Sequence, residues 1–157
     1  MSCSLRPLGR AHRAPLEALV RGSGFFREAE VGTAVELLDE SLAGDTDYRF
    51  IGGFAGEQFL GFACWGPNPD TQGTYDLYWI VVDRNRQGTG IGSQLLAHAE
   101  QAIASEHGRL IVVETSGRPD YAPTRAFYEA RGYSRAATIH GYYAPGDDLA
   151  IYVKDLT

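Results

Sequence analysis

The chain has 157 residues, of which 44% are apolar and 22% charged, and its formal net charge is −6. This length suits one hydrophobic core, so residues 1–157 are expected to form a single domain. The acidic balance argues against a nucleic-acid-binding protein, which needs a basic surface, and it favours a cationic or amine ligand. No apolar stretch approaches the about 18–20 residues that span a bilayer, so no membrane partner is expected.

Cysteine and histidine usage gives further exclusions. Cys3 and Cys64 form no redox or metal motif, and two cysteines cannot make a disulfide framework. Together with the lack of a long apolar signal segment at the N-terminus, this predicts a cytoplasmic protein. His98 and His107 are nine positions apart, which cannot place both on one metal ion, and no metal is expected.

The predicted elements begin with a short strand near residues 4–8 and two amphipathic helices, APLEALVRG and REAEVGTAVELLDESL. The segments YRFIGGFA and FLGFACWG predict two strands around a turn at residues 56–58. The segment PNPDTQG is rich in turn formers and predicts a loop. The aromatic and β-branched segment TYDLYWIVVD, at residues 74–83, predicts the next strand.

The second half of the chain alternates helices and strands. A helix is predicted from about Gly92 to His107, followed by a buried strand, RLIVVETSG, and a shorter helix, APTRAFYEARG. Two last strands, YSRAATI and DLAIYVKDL, are predicted with a loop, HGYYAPGDD, between them. The order β, α, α, β, β, β, α, β, α, β, β predicts an α/β or mixed α+β sheet of six to seven strands with helices against its faces.

The segment RQGTGIGSQ, between a predicted strand and a predicted helix, carries three glycines on alternate positions. Glycines at such a turn let an anion approach the free N–H groups of the helix start. No acidic residue appears in the helix before Glu100, and Arg84 and Arg86 add positive charge. The turn therefore predicts an anion site, although a tight strand-to-helix turn explains the glycines equally well when they are considered alone.

Two common phosphate motifs do not fit this turn. No Gly-Lys-Ser/Thr follows it, which excludes a P-loop. Counted from Gly88, the third glycine of a dinucleotide-binding G-x-G-x-x-G would fall at Ser93, so that fingerprint fails. The spacing that fits is Q-x-x-G-x-G, with Gln87, Gly90 and Gly92.

The segment VVDRNRQGTGIGSQLLAHAE resembles the signature of the GNAT N-acetyltransferase superfamily, in which Arg/Gln-x-x-Gly-x-Gly/Ala binds the pyrophosphate of acetyl-CoA through backbone amides. A second segment, TRAFYEARGY, resembles a later motif of that family. The order and spacing of elements agree from about Tyr48 to the C-terminus. The resemblance implies a GNAT-like fold and direct transfer of an acetyl group from acetyl-CoA to a small-molecule or peptide amine. It allows a homodimer, for which the sequence shows no interface pattern.

The resemblance also implies site residues. The family's asparagine and alanine before the Phe-Tyr pair are replaced here by Tyr121 and Thr124. The implied cofactor contacts are Val81, Val82, Gln87, Gly88, Thr89, Gly90, Ile91, Gly92, Ser93, Tyr121, Thr124, Phe127 and Tyr128. Tyr128 takes the position of the general acid that protonates the departing thiolate. The alternative is a half-buried aromatic residue packed against the sheet.

The acceptor side is less defined by the sequence. An amine with a pKa near about 10 must lose a proton before it attacks, and Glu114 at a strand end is a candidate base. Asp76 and Tyr78 are alternatives, and Glu114 could be a solvated strand end. Tyr142 and Tyr143 could contact a cationic acceptor or cover a sheet edge. Two other functions stay open: a non-catalytic acyl-CoA-binding module and a nucleotide-dependent oxidoreductase.

Overall fold

The computed structural model describes residues 3–157. Four helices are present, and they are α1 (Arg13–Gly22), α2 (Glu28–Ala43), α3 (Ile91–Ser105) and α4 (Ala122–Glu129). Local sequence sets their ends: Gly44 closes α2 in the left-handed conformation, with φ 77°, and a proline lies in the first turn of α4. No helix within residues 3–157 has the length and apolar character needed to cross a bilayer.

The strands form one seven-stranded mixed sheet, which confirms the predicted fold class. They are β1 (Ser4–Arg6), β2 (Arg49–Ala55), β3 (Gln58–Pro67), β4 (Thr74–Val82), β5 (Leu110–Ser116), β6 (Ser134–Ala144) and β7 (Asp147–Asp155). Their spatial order is β1-β2-β3-β4-β5-β7-β6, and only the β4–β5 pair is parallel. The one parallel pair therefore lies in the middle of the sheet.

Helices cover both faces of this sheet. On one face, α1 and α2 bury Leu16, Val31 and Leu38 against Phe62. On the other face, α3 and α4 pack against the sheet in a second apolar cluster that contains Leu95 and Tyr128. The two clusters bury alternate residues of the central strands, as expected for a sheet covered on both sides.

The predicted loop over residues 140–148 is wrong, because most of it belongs to a β-hairpin. Strand β6 continues to Ala144, and Ala144 pairs with Asp147 across a turn at Pro145 and Gly146. Gly141, with φ 66°, is accommodated inside the hairpin, where its N–H donates to the Asp148 carboxylate at 2.9 Å. The glycine marks an irregularity in the strand and does not end it.

Candidate active site

Strands β4 and β5 separate after a short paired segment. Their parallel register runs only from Thr74 opposite Leu110 to Asp76 opposite Val112. Just beyond it, the register of β4 with β3 shifts so that Tyr78 becomes an extra, bulged residue. A bulge increases local twist and bends its strand, and β4 and β5 open apart beyond this point.

The opening exposes backbone donors of β4. The N–H of Asp83 donates to the Leu60 carbonyl on β3 at 2.7 Å. Because N–H groups alternate sides along a strand, the Val81 N–H also faces β3, whereas those of Ile80 and Val82 face the opening. Val82 and Ile80 therefore have backbone amides available to a ligand between the strands.

Two cavities meet at this opening. The first, of about 550 Å³, lies between the glycine loop, the start of α3 and α4, and we call it the loop cavity. The second, of about 750 Å³, lies between the separated strands and the segment from α1 to α2, and we call it the sheet cavity. Ile80, Val82, Gln87, Thr124 and Tyr128 line both cavities. A long ligand in one cavity can therefore reach into the other.

The loop cavity ends at an uncapped helix N-terminus. Gly88 and Gly90 have φ of 81° and 88°, which side-chain-bearing residues rarely adopt. Gly90 precedes α3 without any side-chain hydrogen bond to the first turn, and the first helical bond is Gln94 N–H to the Gly90 carbonyl. The N–H groups of Ile91, Gly92 and Ser93 are left for a ligand, and the helix dipole favours an anion there.

Arg131 adds a positive charge to this wall. Its guanidinium lies 3.9 Å from the centre of the Phe127 ring and donates to the Phe127 carbonyl at 2.8 Å. It also donates to the Ser93 hydroxyl, with Nε at 3.0 Å from Oγ. No carboxylate within residues 3–157 forms a salt bridge with it, so its charge stays available to the cavity.

Tyr128 lies at the junction of the two cavities. The residue is 6% exposed, and its ring meets those of Phe127 and Tyr133 at centroid distances of 5.3 and 5.4 Å. Burial raises the pKa of Tyr128 above its ordinary value, so the hydroxyl remains protonated at neutral pH. Within the described residues the hydroxyl makes no hydrogen bond, which leaves it free to donate to a ligand.

The sheet cavity has an excess of negative charge. Its basic residues are both paired, Arg27 with Glu30 at 3.3 Å and Arg118 with Asp147 at 3.7 Å. Its two other carboxylates, Asp76 and Glu114, form no salt bridge with any residue of the range 3–157. The cavity is thus suited to a positively charged ligand.

Glu114 and Tyr143 lie on the β5 side of the sheet cavity. Burial, followed by the negative charge of Glu114, raises the pKa of Tyr143 to about 12. Tyr143 lines the cavity, whereas Tyr142 is 55% exposed and lies outside it. The hairpin thus brings one of the two predicted tyrosines to the cavity. Asp76 and Tyr78, also predicted from the sequence, line it from β4.

The structure divides the predicted cofactor contacts between the cavities. Those that line the loop cavity are Val82, Gln87, Gly88, Gly90, Ile91, Gly92, Ser93, Thr124, Phe127 and Tyr128. Three predicted residues lie elsewhere. Val81 is buried against the α1–α2 cluster, Thr89 turns its hydroxyl to the Arg86 carbonyl, and Tyr121 lines the sheet cavity, where its hydroxyl donates to the Phe25 carbonyl at 3.2 Å.

Sequence reasoning missed Arg131, Ile80, Pro123 and Phe25 as cavity residues. For Arg131 the one local signal was its spacing of four residues from Phe127, which it contacts from just beyond the end of α4, whereas nothing local indicates its contact with Ser93. For Phe25, whose ring lies 5.2 Å from that of Tyr121, no local pattern shows that the α1–α2 connection reaches the start of α4. Residues 3–157 hold no cluster of three or more His, Cys, Asp or Glu side chains arranged for a metal ion.

A mixed sheet that opens beside an uncapped helix start is an arrangement suited to an extended anionic ligand that accepts hydrogen bonds from backbone N–H groups. The family model for the GNAT acetyltransferase family matches residues 17–133, and the chain belongs to this family. A crystal structure of a GNAT-family protein from Desulfovibrio desulfuricans is 39% identical, covers 99% of this chain and 100% of that chain, and superposes with a TM-score of 0.93.

Two further relatives extend this comparison. Blasticidin-S acetyltransferase of Streptomyces morookaense is 38% identical over 81 residues, or 52% of this chain and 55% of that protein, so the match spans about half the length of this curated relative. The PaiA N-acetyltransferase of Thermoplasma acidophilum, solved in complex with coenzyme A, is 17% identical with a TM-score of 0.75 over 99% of each chain. At that identity the likeness shows the fold alone.

Proposed function

We propose that the protein transfers an acetyl group from acetyl-CoA to the amine of a small molecule or peptide. The observation that carries this proposal is the junction of the two cavities at Tyr128, between an anion-binding helix start and an acidic cavity. Family membership and the coenzyme A complex of a structural neighbour support the choice of cofactor.

Acetyl-CoA binds in the loop cavity in this proposal. Its pyrophosphate accepts hydrogen bonds from the N–H groups at the start of α3, and Arg131 supplies a compensating charge. The thioester end extends into the opening between β4 and β5, where the N–H of Val82 or Ile80 polarises the carbonyl. The open space around Gly88 and Gly90, where an added Cβ would meet no atom within 4 Å, supports this placement.

The acceptor amine enters from the sheet cavity. Glu114, directly or through a water, takes the proton that the ammonium must lose. The amine nitrogen then attacks the thioester carbonyl, and the C–S bond breaks as the C–N bond forms. Tyr128 donates its proton to the departing thiolate, whose conjugate thiol has a pKa of about 8.5 in water. The Tyr128 phenolate takes the second proton that the nitrogen loses as the amide forms, and Glu114 releases its proton to solvent. The cycle therefore yields the amide, the free thiol and one proton.

Release of free thiol from acetyl-CoA in the presence of an amine panel tests this function. The wild-type protein should release thiol in proportion to acetylated amine, and Tyr128→Phe should release it at least about 10-fold more slowly, as expected for loss of a general acid. Tight acetyl-CoA binding without thiol release for any amine would leave a non-catalytic binding module and refute the transferase.

A further inference from the structure

No cationic side chain within residues 3–157 forms a salt bridge with the Asp76 carboxylate. Its Oδ2 accepts hydrogen bonds from Asn68 Nδ2 at 2.8 Å and from the Tyr78 hydroxyl at 3.4 Å. Both donors are neutral, and Oδ1 accepts no hydrogen bond from any residue in the range 3–157. The carboxylate is therefore fixed in orientation, with one oxygen left for a partner from the sheet cavity.

Two aromatic rings stand beside this carboxylate. Tyr78 is the bulged residue of β4 and is 39% exposed, although aromatic side chains gain stability from burial. Its ring meets the Tyr48 ring edge-on, with 5.3 Å between centroids, and both line the sheet cavity. A carboxylate next to aromatic rings is a recognised combination for binding an organic cation, because charge and ring quadrupole act together.

This group is separated from the reaction centre. Asp76 is level with Val112 in the parallel register, and Glu114 lies two residues further along β5 on the same face. With about 3.3 Å per residue along a strand and about 4.8 Å or more between strands, the backbones at the two residues are about 8–10 Å apart. Asn68 and Tyr78 hold the Asp76 carboxylate on the β4 side, so each carboxylate is available to a separate charge.

We propose that the acceptor carries a second positive charge, an ammonium or guanidinium group on an aliphatic chain, and that Asp76, Tyr48 and Tyr78 bind it while the reacting amine lies near Glu114. This inference rests on the proposed function, since it takes the sheet cavity as the acceptor site. It makes the protein an acetyltransferase for diamine-like acceptors and gives Asp76 a role in acceptor selection.

The test compares the binding of 1,5-diaminopentane and 1-aminopentane to the protein saturated with CoA, measured by calorimetry. The two probes have the same chain and differ in the second ammonium group. The diamine should bind at least about 10-fold more tightly, a difference of about 1.4 kcal/mol. In Asp76→Asn, which keeps the shape of the side chain, the two probes should bind equally weakly.

Asp39→Asn is the matched control, because it makes the same change of charge at a carboxylate that pairs with Arg13 and does not line the cavity. The Asp39→Asn variant should still bind the diamine more tightly than the monoamine. Equal binding of the two probes to the wild type, no binding of either at millimolar concentration, or unchanged discrimination in Asp76→Asn would overturn the inference. Thiol release with monoamines would in that case still support the transferase, so the two proposals fail separately.

Discussion

The substitution Gly90→Ala distinguishes the contribution of Gly90 to folding stability from its contribution to ligand binding. Gly90 has φ 88°, and an added Cβ there would meet no atom within 4 Å. The substitution should therefore lower the free energy of unfolding only by the strain of an alanine in the left-handed backbone conformation, about 1–2 kcal/mol. For a chain of this size that corresponds to a fall of about 2–8 °C in Tm.

The effect on the binding of acetyl-CoA should be larger than this strain explains, because Gly90 lines the loop cavity in which we propose that the pyrophosphate binds. Loss of one hydrogen bond to a charged group costs about 1.5–3 kcal/mol, which predicts an increase of about 10- to 150-fold in Kd. Calorimetric titration with acetyl-CoA measures this change directly.

Gly44→Ala is the control, since Gly44 has φ 77°, also has no atom within 4 Å of an added Cβ, and closes α2 away from both cavities. It should lose similar stability and keep the wild-type Kd. If Gly90→Ala binds acetyl-CoA as the wild type does, or if Gly44→Ala weakens binding equally, the glycine loop does not hold the cofactor.

Three further predictions follow from the same site. Tyr128→Phe should lower kcat by about 10²- to 10⁴-fold, as expected for loss of a general acid. The Kd for acetyl-CoA and the Tm should stay nearly unchanged, because the hydroxyl has no hydrogen-bond partner within the described residues. An unchanged kcat would show that Tyr128 takes no part in the chemistry. Arg131→Gln should raise the Kd for acetyl-CoA about 10-fold at low salt. The control Arg13→Gln loses its salt bridge with Asp39 and should leave the Kd unchanged. Equal effects in both variants would exclude a role for Arg131 in phosphate binding. Burial raises the pKa values of six tyrosines, Tyr75, Tyr78, Tyr121, Tyr128, Tyr133 and Tyr143. Above about pH 10 the unfolded chain therefore releases protons that the folded chain retains, and stability should fall as the pH rises from there, whereas these tyrosines add no pH dependence at neutral pH. Tyrosinate absorbance and circular dichroism followed together check this, and early ionisation of most tyrosines in the folded protein would contradict it.

The sequence predicted those parts of the site that depend on local pattern. The apolar spacing of α3 and the glycines before it locate the helix start within one or two residues of Ile91. Pro123 and Gly132 similarly bracket α4. These features are set by backbone conformations that only a few residue types adopt, so they can be read without tertiary information.

The prediction of a loop over residues 140–148 failed because turn-forming residues also occur within strands. Gly141, Pro145 and Gly146 suggested a continuous loop, but only Pro145 and Gly146 form the turn. Gly141 is held within the hairpin by the Asp148 carboxylate, which lies seven positions away and pairs only after folding. As a result, the sequence did not show that Tyr143 reaches the sheet cavity while Tyr142 faces outward.

Which backbone amide faces the opening, that of Val81 or that of Val82, could be decided only from the structure. Alternation along β4 allows either amide to face the opening, and the hydrogen bond from Asp83 to Leu60 decides in favour of Val82. Arg131 is a similar case, because its contact with Ser93 joins residues 38 positions apart. Such contacts arise from the packing of α4 against α3 and leave no local pattern.

A thermal-shift series with acetyl-CoA, CoA and NAD tests the central claim most directly. At 100 times its dissociation constant a ligand adds about 2.7 kcal/mol to stability, which is a rise of about 5–11 °C for a chain of this size. The account predicts this rise with acetyl-CoA and CoA and none with NAD. No rise with acetyl-CoA at millimolar concentration, or an equal rise with NAD, would contradict it.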